Sequence, residues 1–530
     1  MTPSSTLRGL RLSSLASASL ISLALLAPLQ QAHATAPVAS VSWQEAAGDS
    51  DVEKAFAQAR SEKKPVLLYW GAKWCPPCNQ LKATLFNRQD FIEQSRAFVA
   101  VHIDGDLPGA QKLGTRFKVR GYPTMILFSP EGQELTRLPG EADAPQVLKV
   151  LQLGLAGGRP IKNVLADARA GKKLSANEWK LLGFYSWDTD EQQLVPAAER
   201  PGLLAQLAAA SQGADAETGT RLWLKALAAN ADGKSLKVDA ALQTRVRALL
   251  GNAADARAQV DSLNYGASDI VRSLAPTAGA ERNALIALYE TALKRFEADA
   301  TLSRADRLSA LVARVDLARV DQPKDSTQPK LNAALLKEVK DTSVRLDKEI
   351  TDGYERQAVI TQVAYLLGHA GQWKDSDELL KASLSKSHSP YYLMSQLGGN
   401  AKKQGRKDEA LKWYEEAFNK SEGPATRLQW GSGYFGALVE LAPQDSAKIE
   451  KIAAQLFNEA AQDKGSFYER SARSLQKVGS SLAKWNDKGQ HDAVLARLKT
   501  QLDGICAKVD TADKQRETCE SLVKAPAKKA

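Results

Sequence analysis

The sequence predicts an α/β domain followed by a much larger all-α domain of helical repeats. Three observations carry that expectation. Between about residues 43 and 158, short apolar runs rich in strand formers alternate with amphipathic, helix-spaced segments. After residue 160 strand signals disappear, and Ala, Leu, Lys, Glu and Gln recur at helical spacing. Within that second region, pairs of turn residues repeat at a 34-residue interval.

The elements follow in chain order. Arg8 and Arg11, the apolar stretch Leu12 to Leu29 and the Ala32-His33-Ala34 signature read as a signal peptide, cleaved after Ala34. An uncleaved signal anchor is the alternative. Asp51 to Lys63 reads as an amphipathic helix. Pro65 to Gly71 and Phe98 to Ile103 read as buried strands, with a helix over Leu107 to Phe117. Thr124 to Phe128 is a further buried strand, and Gln133 to Leu138 pairs back on it through the turn Ser129-Pro130-Glu131-Gly132. Ala144 to Leu155 closes the unit as a helix, and Gly157-Gly158-Arg159-Pro160 punctuates the chain.

Beyond that break, Ser175-Ala176-Asn177-Glu178 is a capping box ahead of Trp179. Gly371 and Gly405 lie 34 residues apart, as do Pro390 and Pro424. Residues 391 to 424 carry Leu397-Gly398 on a first helix, Gly405 at the turn, then Ala410, Tyr414 and Ala417. They resemble a tetratricopeptide repeat, and residues 357 to 390 are a weaker copy with Ser376 and Ser383 at small-residue positions. Such arrays bury a continuous core only when several units stack, and they present concave binding surfaces.

Composition excludes several classes. The 530 residues are 44% hydrophobic and 25% charged, and four cysteines in a chain this long exclude a disulfide-dense scaffold. Five scattered histidines and a single C-x-x-C offer no metal site. The formal charge of +10 is spread through the chain rather than gathered on an aromatic-interleaved face, so nucleic acid is not an expected partner. No stretch after the leader reaches the roughly 18 apolar residues of a membrane span.

The chemistry concentrates at Trp74-Cys75-Pro76-Pro77-Cys78, between the strand PVLLYWG and a helix over Asn79 to Leu85. On a strand-to-helix turn the first cysteine meets the unpaired N–H groups and positive end of the helix dipole, which favour its thiolate. The second lies one turn further in and can attack the mixed disulfide formed by the first. Pro76 and Pro77 suit a first helical turn, where no hydrogen bond is lost. A purely structural disulfide or half of a metal site is the alternative.

Gly121-Tyr122-Pro123-Thr124 arrives just before the strand TMILF, and Ile103 to Asp106 forms an IDGD strand end. With the WCxxC turn, in this order and at this spacing, residues 43 to 158 resemble the thioredoxin superfamily. The resemblance implies a thioredoxin fold, catalysis by Cys75 as nucleophile and Cys78 as resolving thiol, and no cofactor beyond the redox-active Cys75–Cys78 disulfide. It implies that Pro123 is a cis-proline packed against Cys75, that Tyr122 pairs with an extended substrate strand, and that Trp74 borders the docking surface. Two positions depart from the family. The buried Asp before the motif is replaced by Tyr69, and its Lys partner aligns with Ala100. Tyr69 or a water is then left to relay the proton, or the domain serves a narrower role.

Cys506 and Cys519 are too far apart on one continuous helix to bond. A break at Val509 to Asp513, with Asp510 or Thr511 as N-cap, allows two short antiparallel helices and a structural disulfide. An internal redox partner for Cys75/Cys78 is the sharper alternative. The expected organisation is therefore a signal peptide at 1–34, a thioredoxin-like domain at 35–158, degenerate helix pairs at 159–356, two tetratricopeptide-like repeats at 357–424 and a stapled helical region at 425–530. The expected function is an exported, periplasmic thiol–disulfide oxidoreductase with protein thiol or disulfide substrates and an upstream redox partner protein. A docking adaptor or chaperone-like binder is the rival from another class.

Overall fold

A computed structural model describes residues 40–523 apart from 141, 188, 191–193 and 231–232. The expected leader and the basic tail from Lys524 lie outside the described residues. Ten elements form the α/β part: β1 (Gln44–Glu45), α1 (Asp49–Glu62), β2 (Val66–Gly71), α2 (Pro76–Thr84), α3 (Gln89–Gln94), β3 (Val99–Asp104), α4 (Ala110–Phe117), β4 (Thr124–Phe128), β5 (Glu134–Leu138) and α5 (Ala144–Leu155). The sheet order is β1-β3-β2-β4-β5. The first three strands run parallel, β4 is antiparallel to β2, and β5 folds back antiparallel on β4.

Side-chain alternation along the strands splits the core in two. Val66, Leu68 and Trp70 face Val52 and Phe56 of α1 and Leu113 of α4. Leu67 and Tyr69, one residue out of phase, face Leu81, Phe91 and Leu151 from α2, α3 and α5. Both faces are covered, which is why β2 reads as an uninterrupted apolar run rather than an alternating one. α5 lies close on the sheet: a Cβ on Gly154 would stand 2.4 Å from Leu127.

Twenty α-helices follow among the described residues. The core beneath α5 continues without a break into Trp179, Leu182, Tyr185 and Leu204, so the first helices after residue 160 share one apolar interior with the sheet. The stretch read as two repeats holds two helix pairs, Gly353–His369 with Trp373–Ser383 and Pro390–Lys403 with Lys407–Lys420. Gly371 and Gly405 take up positive φ of 78° and 75° at the two turns, a conformation that favours glycine. In the second pair Tyr414 packs directly over Gly398, where a Cβ would be 2.9 Å from its ring. From Ser40 onward the described residues form one unit. No described helix is long and apolar enough to cross a membrane.

Candidate functional site

Cys75 is the N-cap of α2, with an extended backbone that points its sulfur at the helix end. Its Sγ accepts the Cys78 N–H at 3.2 Å, one of the donors a helix start leaves unpaired. The two cysteines are joined as a disulfide with Cα atoms 5.3 Å apart. The buried Asn79 knits the turn together. Its amide donates to the Lys73 and Cys75 carbonyls, both at 2.8 Å. The Tyr122–Pro123 bond is cis. Tyr122 and Trp74 pack against the small cluster of Ala72, Cys75 and Cys78. Lys73 is solvated, 3.8 Å from Glu422.

The turn is not open to solvent. Cys75 is 2% exposed and Cys78 fully buried. The cover comes from helices hundreds of residues away. Trp74 Nε1 donates to Thr426 Oγ1 at 2.9 Å, and the Trp74 carbonyl accepts from Gln357 Nε2 at 2.9 Å. The Trp74 ring meets Trp430 edge-on at 4.8 Å and lies parallel to Tyr392 at 6.0 Å. His388, pushed by burial toward its neutral form, approaches Asn79 Oδ1 at 3.2 Å. Gln80 of α2 reaches Ser303 Oγ at 3.3 Å.

Arg470, the second residue of the Glu469–Trp485 helix, is also buried over the turn. Its guanidinium pairs with Asp106 and lies over both the Trp74 and Tyr122 rings, at 5.4 and 5.2 Å. Its backbone N–H donates to Gln111 Oε1 at 2.9 Å. Asp106 also receives the Thr426 hydroxyl. The residues read from the sequence as a docking surface, Trp74 and Tyr122, therefore already carry an occupant from the same chain. None of the covering residues was singled out from sequence: Gln357, Tyr392, Thr426, Trp430 and Arg470 read locally as ordinary helix positions, and His388 lies in the break at 387–389.

Behind the turn, Tyr69 fills the place of the expected acid. It is buried between Trp43, Phe86 and His102, and its hydroxyl has no hydrogen-bond partner among the described residues. Burial and the nearby Asp104 carboxylate raise its pKa well above the normal phenol range, so it is a poor proton carrier. An acid is present on the adjacent strand instead. Asp104 ends β3, in register with Gly71, and burial raises its pKa above the usual carboxylate value. Lys82, itself lowered by burial, pulls the other way on Asp104.

Cys506 and Cys519 are bonded, with Cα atoms 5.7 Å apart, and join the Asp492–Cys506 and Gln515–Glu520 helices. The break runs over residues 507–514, and the cap is Lys514 rather than Asp510 or Thr511, which lie earlier in the loop. Both cysteines pack in the C-terminal core with Leu475 and Val478, a cluster separate from that of Cys75 and Cys78. Leu475 and Val478 belong to the helix that carries Arg470. Replacing Cys506 by Ser removes a 13-residue closure, and a loss of about 3 kcal/mol in local stability is expected. Hydrogen exchange of the last three helices measures it.

A mixed five-stranded sheet with a C-x-x-C disulfide capping the helix after its central strand, and a cis-proline leading the next strand, defines a thioredoxin-fold protein. A thioredoxin-like domain model matches residues 52–154. The chain is 31% identical over 106 residues to a thioredoxin-like protein of Synechocystis sp., spanning 19% of this chain and 96% of that one. The chain belongs to the thioredoxin-like family. It is also 30% identical over 116 residues to the thiol:disulfide interchange protein DsbD 1 of Pseudomonas aeruginosa, covering 21% of this chain and only 20% of the relative's length. Among solved structures it is similar to a DsbH oxidoreductase at 23% identity, covering 24% of this chain and 93% of that one, with a TM-score of 0.20.

Proposed function

We propose that the chain is an exported thiol–disulfide oxidoreductase that exchanges disulfides with protein substrates through Cys75 and Cys78. The carrying observation is the placement of Cys75 Sγ at the start of α2, where the Cys78 N–H and the helix dipole stabilise a thiolate. Cys75 attacks the substrate disulfide and Cys78 resolves the mixed disulfide, so no cofactor is needed beyond the redox-active pair. The reductant direction is favoured by the similarity to DsbD-type proteins, and an upstream redox protein then returns the electrons. Pro123 and Tyr122 shape the docking edge. The helical region, including two tetratricopeptide-like repeats at 357–424, binds the partner, and Cys506–Cys519 is a structural staple.

In this reading Asp104, the buried carboxylate in register with Gly71, serves as the base for the resolving step. Asp104→Asn is expected to slow release of the mixed disulfide about tenfold. In the wild type that step should accelerate as pH rises through the raised Asp104 pKa, where the carboxylate forms. The variant should lack this acid-side limb in a stopped-flow pH profile.

The overall reading is tested by mixing the pre-reduced full chain with peptide, protein and small-molecule disulfides. Release of two thiols per chain, with oxidation of Cys75 and Cys78, is the expected result. A second reading, a non-catalytic adaptor, is favoured by the 2% exposure of Cys75 beneath the chain's own helices. A chain oxidised by no disulfide supports the adaptor.

A further inference from the structure

A cavity of about 460 Å³ lies between the catalytic turn and the helices above it. Its floor includes Pro76 and Pro77, which follow Cys75 directly, and Tyr122 and Pro123. Tyr122 borders both this space and the cysteine cluster; neither cysteine lines the cavity itself. Its roof includes Gln362 and Tyr365 of the Gly353–His369 helix and Tyr392 and Gln396 of the Pro390–Lys403 helix. The floor comes from the thioredoxin-like domain and the roof from the first helices of the two repeating pairs.

Three features of this space limit what enters it. Its volume falls within the range of small-ligand sites. None of the described residues lining it is Asp, Glu, Lys, Arg or His. A charged group drawn inside would lose its water and find no counter-charge among the described lining residues. Five large hydrophobic side chains are exposed among the described residues, and two of them, Tyr265 at 61% and Tyr365 at 49%, line this cavity. Exposed aromatics at a cavity supply rigid contact area for a ligand.

We infer that the site accepts a single extended, uncharged, cysteine-bearing peptide segment, such as an unfolded chain presents, and that the helical roof enforces this choice. The side-chain amides of Gln362 and Gln396 can each donate and accept, matching the alternating N–H and C=O groups of a peptide. The inference rests on the oxidoreductase reading. In the reaction the Cys75 thiolate attacks the segment's disulfide, forming a Cys75–segment bond while the far sulfur leaves with the electron pair and takes up a proton. Cys78 then attacks Cys75 Sγ and expels the segment as a thiol. The dithiol loses two electrons and becomes the Cys75–Cys78 disulfide, and the substrate disulfide gains them and becomes two thiols.

The test uses the full chain, pre-reduced with dithiothreitol and freed of it. Four disulfides are compared: dimers of the blocked peptides Gly-Gln-Cys-Tyr-Gly and Gly-Glu-Cys-Glu-Gly, bis(2-hydroxyethyl) disulfide, and insulin. Each rate is divided by the rate of the same probe with free dithiothreitol, which removes intrinsic charge effects. The neutral peptide is expected to exceed each of the other three at least tenfold. In Gln362→Lys, and in Tyr365→Lys on its exposed ring, the neutral-to-acidic ratio should fall at least fivefold. Equal normalised rates for the two peptides, or a ratio unchanged in both variants, overturn the inference. Insulin matching the neutral peptide overturns the restriction to a single segment, and the small disulfide matching it overturns the peptide as occupant. A chain oxidised by none of the four removes the oxidoreductase reading and this inference with it.

Discussion

Arg470→Leu is expected to unmask the dithiol: the pre-reduced chain should be alkylated at Cys75 by iodoacetamide at least tenfold faster than the wild type. The guanidinium is buried against Asp106, Trp74 and Tyr122 and anchors a helix that meets Asp106 across 364 residues of sequence. Removing one member of a buried ion pair leaves the other charge uncompensated, at a cost of about 3–5 kcal/mol. Asp106 regains water only if the covering helices lift from the turn. Each 1.4 kcal/mol is worth tenfold in the open population, so even half of that cost is enough for the expected rise. The double variant Asp106→Asn with Arg470→Leu separates charge from packing. If the masking depends on the pair, the second substitution should recover part of the protection, and a strictly additive cycle would rule the pair out as the latch.

What was legible in the sequence was local. The WCPPC turn announced itself because a strand, two prolines and a helix start must stand in that order to point Cys75 at a helix end. The strands β2 and β4 were legible because burial on both faces leaves no charged residue to break the run. β1 was not, because two residues become a strand only by pairing with Val101 and His102 of β3. The cover over the site was illegible for a stronger reason. Thr426, Trp430 and Arg470 lie on helices whose spacing marks an inward face without saying what it meets. Arg470 in particular stands at a helix start, where a sequence pattern suggests a solvated cation. Asp104 was visible within IDGD, yet its role as the acid beside Tyr69 depends on the register that sets it against Gly71. The second cysteine pair was limited in the same way: the need for a break was clear from the spacing, but its cap was settled by the packing of the last helix.

Cys75→Ser should abolish disulfide exchange, with a loss on the order of 10³-fold or more, while Cys78→Ser should stall after one attack and accumulate a mixed disulfide. The asymmetry comes from position. Cys75 caps α2 and accepts the Cys78 N–H, so its thiolate is the stabilised one; Cys78 lies within the first turn, fully buried and bonded to Cys75. Serine at 75 leaves no nucleophile at the helix end. Serine at 78 leaves that nucleophile intact but removes the thiol that expels the product, so substrate stays attached until an outside thiol frees it. Intact-mass measurement under non-reducing conditions reads the second outcome directly, as added substrate mass on Cys78→Ser and none on Cys75→Ser. A bond that served only to hold the turn would answer differently, since breaking it from either side removes the same closure. The two variants would then match in activity and in stability, and neither would retain substrate. Unequal behaviour from two residues three apart is therefore evidence of ordered exchange, whatever the absolute rate with a given substrate.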